Sequence, residues 1–112
     1  MRRREVTETA LADILHNRDF LSQRAPHVAT LYYQKVLQTF MEFPDDVWLP
    51  HRASDDLPEF VRVMYPPSPF RQYPIWVAFT EDALYLVAAF APGLTEEQQI
   101  DRSQSGLDEI HD

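Results

Sequence analysis

The sequence has no cysteine, only two glycines and a single lysine, Lys35. Without cysteine the chain forms no disulfide bond and offers no thiolate for catalysis, zinc binding or iron–sulfur clusters, which is compatible with a reducing cytoplasm. Loops that cradle phosphates need closely spaced glycines, but Gly93 and Gly106 stand far apart. The composition therefore excludes P-loop and dinucleotide-binding enzymes, and no cofactor is expected.

Long apolar runs are also missing. The longest extends from Ala83 to Ala91, less than half of the roughly 20 residues that a membrane-spanning helix needs. Acidic side chains at Glu5, Glu8 and Asp13 follow the N-terminal arginines, where a signal peptide needs apolar residues. We therefore expect a cytoplasmic protein that neither spans a membrane nor is exported through a signal peptide.

Motifs for metal-dependent or serine-dependent hydrolysis are absent as well. The four histidines, at positions 16, 27, 51 and 111, are never four residues apart, and neither H-E-x-x-H nor G-x-S-x-G occurs. The sequence therefore predicts no metal site.

Acidic side chains outnumber basic ones by eighteen to ten, so the formal net charge is -8. Residues 1–43 carry six basic and five acidic side chains, residues 44–91 three and seven, and residues 92–112 one and six. This balance disfavours direct nucleic-acid binding, because phosphate contacts need clustered positive charge. The arginines at positions 2–4 indicate either a solvated, flexible start or a small arm that contacts an anion.

Two helices are predicted in the first part of the chain. Apolar residues recur at three- and four-residue spacing from Thr7 to Arg24, and again from Pro26 to Phe43. Pro26 suits the first position of a helix, and Pro44 ends the second one. Because the break between them is short, the helices should form an antiparallel hairpin.

Three strands are predicted in the second part. Seven of the nine prolines lie between residues 44 and 74, and the alternation from Phe60 to Tyr65 indicates a strand. Residues 73–80 and 83–91 are predicted to form a hairpin with apolar residues on both faces, typical of strands that are covered on both sides. Residues 3–6 are compatible with an edge strand.

This element order predicts an α+β fold: a short N-terminal strand, a two-helix hairpin, and then a three-stranded antiparallel sheet with both helices on one face. A single domain is expected over residues 1–93. Residues 94–112 are expected to be an acidic C-terminal tail, with a turn or two of helix near Thr95 and a flexible joint at residues 103–106.

His51, Arg62 and Arg71 are the candidate site residues. His51 precedes Asp55 and Asp56, a combination that suits acid–base chemistry and equally a solvated loop. Arg62 within a strand and Arg71 just before one would be held rigidly, either to bind phosphate or carboxylate or to form an ion pair. The aromatic side chains fit a core better than a base-stacking platform.

Four segments carry a resemblance to a known family. They are residues 8–14 (ETALADI), 24–29 (RAPHVA), 36–44 (VLQTFMEFP) and the hairpin formed by residues 70–79, 81–82 and 84–87. Together they resemble the RelE/ParE superfamily of type II toxin–antitoxin modules, which includes plasmid stabilisation proteins. The resemblance extends from residue 4 to about residue 91.

The resemblance implies one of two activities, messenger-RNA cleavage on the ribosome or poisoning of DNA gyrase, each restrained by an antitoxin whose extended segment wraps the toxin. Members that cleave RNA use several basic side chains, often with a histidine or tyrosine near the end of the last strand. Here no charged side chain lies between Asp82 and Glu96. We therefore expect a ParE-like toxin that binds a protein, with DNA gyrase as the candidate target and a cognate antitoxin as partner.

Two alternatives stay open. One is a non-toxic interaction module of the same fold, which could form homo-oligomers. The other is a ribonuclease that uses Arg62, Arg71 and His51.

Overall fold

The computed structural model describes residues 2–44 and 52–110 of the chain. The elements are β1 (Arg3–Val6), α1 (Glu8–Ser22), α2 (Pro26–Glu42), β2 (Val61–Met64), β3 (Ile75–Phe79), β4 (Ala83–Ala89) and α3 (Glu96–Asp108). The predicted α+β class is confirmed. The ends of both predicted helices and all three predicted strands lie within two residues of the observed ends.

The sheet has four strands in the order β1-β4-β3-β2, rather than the three that were predicted. β2, β3 and β4 are antiparallel as expected, whereas β1 joins the sheet parallel to β4. The Arg3 amide donates to the Asp82 carbonyl (3.0 Å) and the Thr7 amide to the Leu86 carbonyl (3.1 Å). These bonds make the N-terminal segment an edge strand of a mixed sheet.

Thr7 connects the sheet to the first helix. Its hydroxyl donates to the Leu86 carbonyl (3.0 Å) and accepts from the Ala10 amide (3.1 Å), so the same side chain ends β1 and caps α1. After α1, the Ala25 amide donates to the Leu21 carbonyl (2.9 Å), and α2 begins at Pro26 as predicted.

The helical hairpin covers one face of the sheet and forms the first core. Its fully buried helix residues are Ala10, Ile14, Tyr32, Val36 and Phe40, and they pack against Ile75, Val77, Leu84 and Leu86 of the sheet. These are the apolar positions whose spacing predicted the helices. Burial of each such large side chain contributes roughly 1.5–3 kcal/mol.

The third helix, α3, covers the opposite face and forms a second core. Leu107 packs there with sheet residues that include Trp76 and Val87, and the Trp76 and Phe90 rings meet edge to face at 5.1 Å. The sequence predicted that both faces of the β3–β4 hairpin are covered, but it did not identify α3 as the cover.

Helix α3 is three and a half turns long rather than a turn or two. The flexible joint predicted at residues 103–106 was wrong, because this segment is helical and both Ser103 and Gly106 are buried. Gly106 lies so close to β4 that a Cβ atom there would collide with the Val87 carbonyl oxygen. The small residues that resembled a linker are what lets the helix backbone approach the sheet.

Within the described ranges, no helix is long and apolar enough to cross a bilayer.

Candidate functional site

Arg62, the first predicted site residue, lies on β2 and is only 8% exposed. Its guanidinium pairs with the exposed Glu59 carboxylate, with 3.6 Å between Nη2 and Oε1. The backbone of Arg62 also forms a bridge with Arg52, which extends the pairing beyond the edge of the sheet. The structure therefore gives Arg62 the ion pair that was the alternative to ligand binding.

Arg71 is exposed and lies in the loop between β2 and β3. With Tyr65, Pro66 and Pro67 it lines an open cleft of about 460 Å³. Arg71 forms no ion pair with any residue in 2–44 or 52–110. Tyr65 is 54% exposed, so this aromatic ring does not belong to the core to which the sequence assigned it.

The three predicted site residues are not seen to converge. Arg62 points back toward Glu59, which precedes β2, whereas Arg71 lies in the loop that follows β2. His51 lies outside the described residues. A joint site of His51, Arg62 and Arg71 therefore stays a prediction.

Two of the three N-terminal arginines bind backbone carbonyls, whereas Arg3 is exposed and pairs with the Glu5 carboxylate at 3.4 Å. Arg4 donates from Nη1 to the Phe40 carbonyl (2.9 Å) and lies 4.8 Å from the centre of the Phe43 ring, so its charge stabilises the C-terminus of α2. Arg2 donates from Nε to the Thr80 carbonyl (2.9 Å). These two side chains fasten β1 to its surroundings.

The structure shows a cleft that the sequence did not reveal, where α1 passes the end of β4. This α1–β4 cleft has a volume of about 330 Å³ and is lined by His16, Asn17, Phe20, Tyr73, Ala91 and Pro92. Phe20 is 50% exposed, although it is a large apolar residue. The α1 positions stand at helical spacing, but only the fold brings them beside Tyr73 and the end of β4.

A buried polar pair lies behind this cleft. Asn17, only 5% exposed, donates from Nδ2 to the Tyr32 hydroxyl (2.9 Å) and to the Ala89 carbonyl (3.5 Å). Burial raises the pKa of Tyr32 to about 12, against the opposing effect of the Asn17 hydrogen bond. Tyr32 therefore stays a neutral phenol, and its hydroxyl holds the Asn17 side chain, which lines the cleft.

Ionic contacts hold α3 against α1. The Asp13 carboxylate accepts from Arg102 Nε (2.7 Å) and from the Ala89 amide (3.2 Å). Glu109 accepts from the Glu8 amide (2.6 Å) and the Thr9 amide (2.9 Å), so a carboxylate at the end of α3 caps the start of α1. We refer to these contacts of Asp13 and Glu109 as the α1–α3 clamp, since they join the last described helix to the first.

The outer side of α3 is strongly acidic. Asp56, Glu96, Glu97 and Asp101 line an open cleft of about 400 Å³ together with Ile100. Among the described residues, no group of three or more acidic or histidine side chains has an arrangement that could hold a metal ion. Four carboxylates therefore lie together at the start of α3.

No protein-family model and no curated protein matches this chain. A solved structure does: a chain of the chromosomal ParDE toxin–antitoxin (TA) system from P. aeruginosa, with 14% sequence identity and a TM-score of 0.67. The match covers 83% of this chain and 98% of that one. The two chains share one fold.

This ParE-like fold confirms, at the level of architecture, the resemblance that the sequence carried to the RelE/ParE superfamily. At 14% identity the match is one of backbone arrangement. Three exposed features of this chain could contact another molecule: the Arg71 loop, the α1–β4 cleft and the acidic side of α3.

Proposed function

We propose that this chain is the toxin component of a type II toxin–antitoxin module and acts in the cytoplasm. A cognate antitoxin holds it inactive, and DNA gyrase is its candidate target. The observation that carries the proposal is the ParE-like fold, shared over 83% of this chain with a protein of a ParDE toxin–antitoxin system. The resemblance of residues 8–14, 24–29, 36–44, 70–79, 81–82 and 84–87 supports it independently, since it rests on sequence.

The toxin acts by protein contact rather than by cleaving RNA. The segment that ends the last strand, Ala88 to Pro92, carries no ionisable side chain that could move a proton or stabilise a phosphate. Arg62 is nearly buried and paired with Glu59, which reduces its access to a phosphate. A protein target fits these features better than messenger RNA does.

A second candidate function is a non-toxic interaction module that keeps the fold. The net charge of -8 and the acidic side of α3 favour it, because the phosphates of the DNA to which gyrase is bound repel a strongly acidic surface.

The decisive experiment is tightly controlled induction of this chain alone in a bacterial host, beside an identical vector with an early stop codon. Growth, messenger-RNA integrity and plasmid supercoiling are measured in the same cultures. Growth arrest with intact messages and altered supercoiling is expected. Normal growth at confirmed expression would support the non-toxic module instead.

The same cultures test the ribonuclease alternative. Specific cuts in messenger RNA that disappear in Arg62→Ala would establish it and overturn the proposal of protein contact. The antitoxin is tested by co-expressing the gene adjacent to this one, which should restore growth and co-purify with this chain.

A further inference from the structure

The α1–β4 cleft has the size and lining of a pocket for one large side chain. Its volume of about 330 Å³ lies at the lower end of the range of small-ligand pockets, roughly 300–1,000 Å³. Phe20, Tyr73, Ala91 and Pro92 supply mainly carbon to its walls. The cleft is therefore suited to an apolar or aromatic group and not to a charged cofactor.

Phe20 is placed as a contact residue and not as a core residue. Half of its surface is exposed, and the Arg24 guanidinium lies 5.1 Å from the centre of its ring. This cation–π contact holds the ring in position without covering it. Exposed aromatic side chains beside a concave surface are enriched in protein interfaces, where they bind an anchor residue of the partner.

The floor of the cleft offers one hydrogen-bond acceptor. Both donor contacts of the Asn17 amide go to its own protein, to Tyr32 and to Ala89. Its Oδ1 atom accepts no hydrogen bond from a described residue, and Asn17 lines the cleft. A side chain that fills the cleft would satisfy this oxygen if it carried an N–H or O–H donor, as the indole of tryptophan does.

The charge around the cleft differs from that of the molecule as a whole. Arg24 forms no ion pair with any residue that the structure describes, and its guanidinium lies 5.1 Å from the ring centre of Phe20, which lines the cleft. Of the acids on α1, Asp13 pairs with Arg102 and interacts with His16, and the exposed Asp19 lies 3.6 Å from Arg18. In a chain of net charge -8, the Arg24 guanidinium beside Phe20 makes this end of α1 complementary to an acidic group.

We propose that the α1–β4 cleft binds an aromatic anchor residue, tryptophan by its chemistry, in an acidic segment of a partner polypeptide. The ring lies between Phe20 and Tyr73, its N–H donates to Asn17 Oδ1, and a flanking carboxylate faces Arg24. This binding site goes beyond the proposed function and does not depend on toxicity.

Three blocked peptides test the site on the full-length chain: acetyl-Glu-Trp-Glu-amide, acetyl-Lys-Trp-Lys-amide and acetyl-Glu-Ala-Glu-amide. Each is titrated against ¹⁵N-labelled protein, and chemical shifts are followed at residues 16, 17, 20, 24 and 91. The acidic tryptophan peptide should give saturable shifts at the cleft and bind at least about threefold more tightly than the basic one. The peptide without an aromatic ring should give none.

Two variants separate the roles of ring and charge. Phe20→Ala should weaken the binding of the acidic tryptophan peptide about tenfold. Arg24→Gln should bind the acidic and the basic tryptophan peptide with equal affinity. Met41→Ala, which truncates an equally exposed apolar residue on α2, should change neither.

The proposal is overturned if the tryptophan peptides shift no cleft residue, if all three peptides bind equally, or if Phe20→Ala binds like the unaltered chain. Because Phe20 is half exposed, its variant should keep the dispersed spectrum of the folded protein. Saturable shifts confined to the acidic side of α3 would also overturn it.

Discussion

Gly106 is where the third helix comes closest to the sheet. In an exposed helix interior, Gly→Ala usually stabilises a protein by about 0.5–1 kcal/mol. At Gly106 the new methyl group would collide with the Val87 carbonyl and push α3 away from the second core. We expect Gly106→Ala to lower the free energy of unfolding by about 1–3 kcal/mol in urea denaturation.

The matched control is Ser105→Ala, one position earlier on the exposed side of α3. It should change the stability little or raise it slightly. If Gly106→Ala were as stable as Ser105→Ala, the close approach of α3 to β4 would be wrong.

Asp13 and Glu109 hold α3 to α1, and their pKa values shift in opposite directions. Burial raises the pKa of Asp13 above 3.8, although the Ala89 and Arg102 hydrogen bonds act against it. Partial burial also favours a higher pKa for Glu109, but the Thr9 and Glu8 hydrogen bonds and the Arg102 charge outweigh it and lower its pKa below 4.5.

The pH dependence of stability should therefore have opposite signs at the two positions. Folding raises the proton affinity of Asp13, so its contribution to the free energy of unfolding decreases as the pH rises from 3.8 through its folded pKa. The contribution of Glu109 is present above 4.5 and is lost as the pH falls through its folded pKa.

Denaturation series between about pH 3 and about pH 6 test this. The stability of Asp13→Asn relative to the unaltered chain should improve with rising pH, and that of Glu109→Gln should worsen. If the stabilities of both variants changed with pH in the same direction, the opposite pKa shifts of Asp13 and Glu109 in the α1–α3 clamp would be wrong.

At the scale of elements, α3 depends on its N-terminal cap. The Thr95 hydroxyl accepts from the Gln98 amide (3.1 Å), and the Gln98 side chain accepts from the Thr95 amide (2.9 Å), which makes a capping box. Thr95→Ala should cost about 1 kcal/mol of stability. Thr95→Ser keeps the hydroxyl and should cost little, and equal losses in both variants would show that the cap does not act through this oxygen.

Elements whose buried positions carry large apolar residues were predicted from the sequence. Helix α2 is an example, since Val36 and Phe40 occupy buried positions at helical spacing. In α3 the inward positions include Ser103 and Gly106 as well as Leu107, so the apolar stripe is interrupted where the helix is closest to the sheet. The hydrophobic pattern therefore did not predict the full length of α3, because its close packing against β4 requires small side chains at the buried positions.

At the scale of the whole molecule, the sheet is covered on both faces. Removal of residues 94–112 would expose Trp76, Val87 and Phe90, which α3 now shields. We expect the chain that ends at residue 93 to lose cooperative unfolding and near-ultraviolet circular dichroism and to bind a hydrophobic dye.

The control for this truncation is Leu107→Ala in the full-length chain. It should keep the fold and lose about 2–5 kcal/mol of stability. If instead the truncated chain unfolds cooperatively with unchanged stability, residues 1–93 are an independent domain and residues 94–112 a dispensable acidic tail.

The sequence by itself determined the α+β class, the helical hairpin and the β3–β4 hairpin. The spacing of apolar residues and the residues that favour turns are local properties of the chain, so they are visible without the fold. It also indicated the ParE-like architecture. Only the tertiary structure decided that β1 runs parallel to β4, that Arg2 and Arg4 are fastened to backbone carbonyls, and that α3 covers the second face.

The candidate site belongs to this second group. His16, Asn17 and Phe20 follow one another on α1, but Tyr73 and Pro92 are far away along the chain. No local pattern relates these positions, because the packing of α1 across the end of β4 is what creates the cleft. Residue types and spacing therefore predicted the fold, whereas long-range packing decided which side chains are available to a partner.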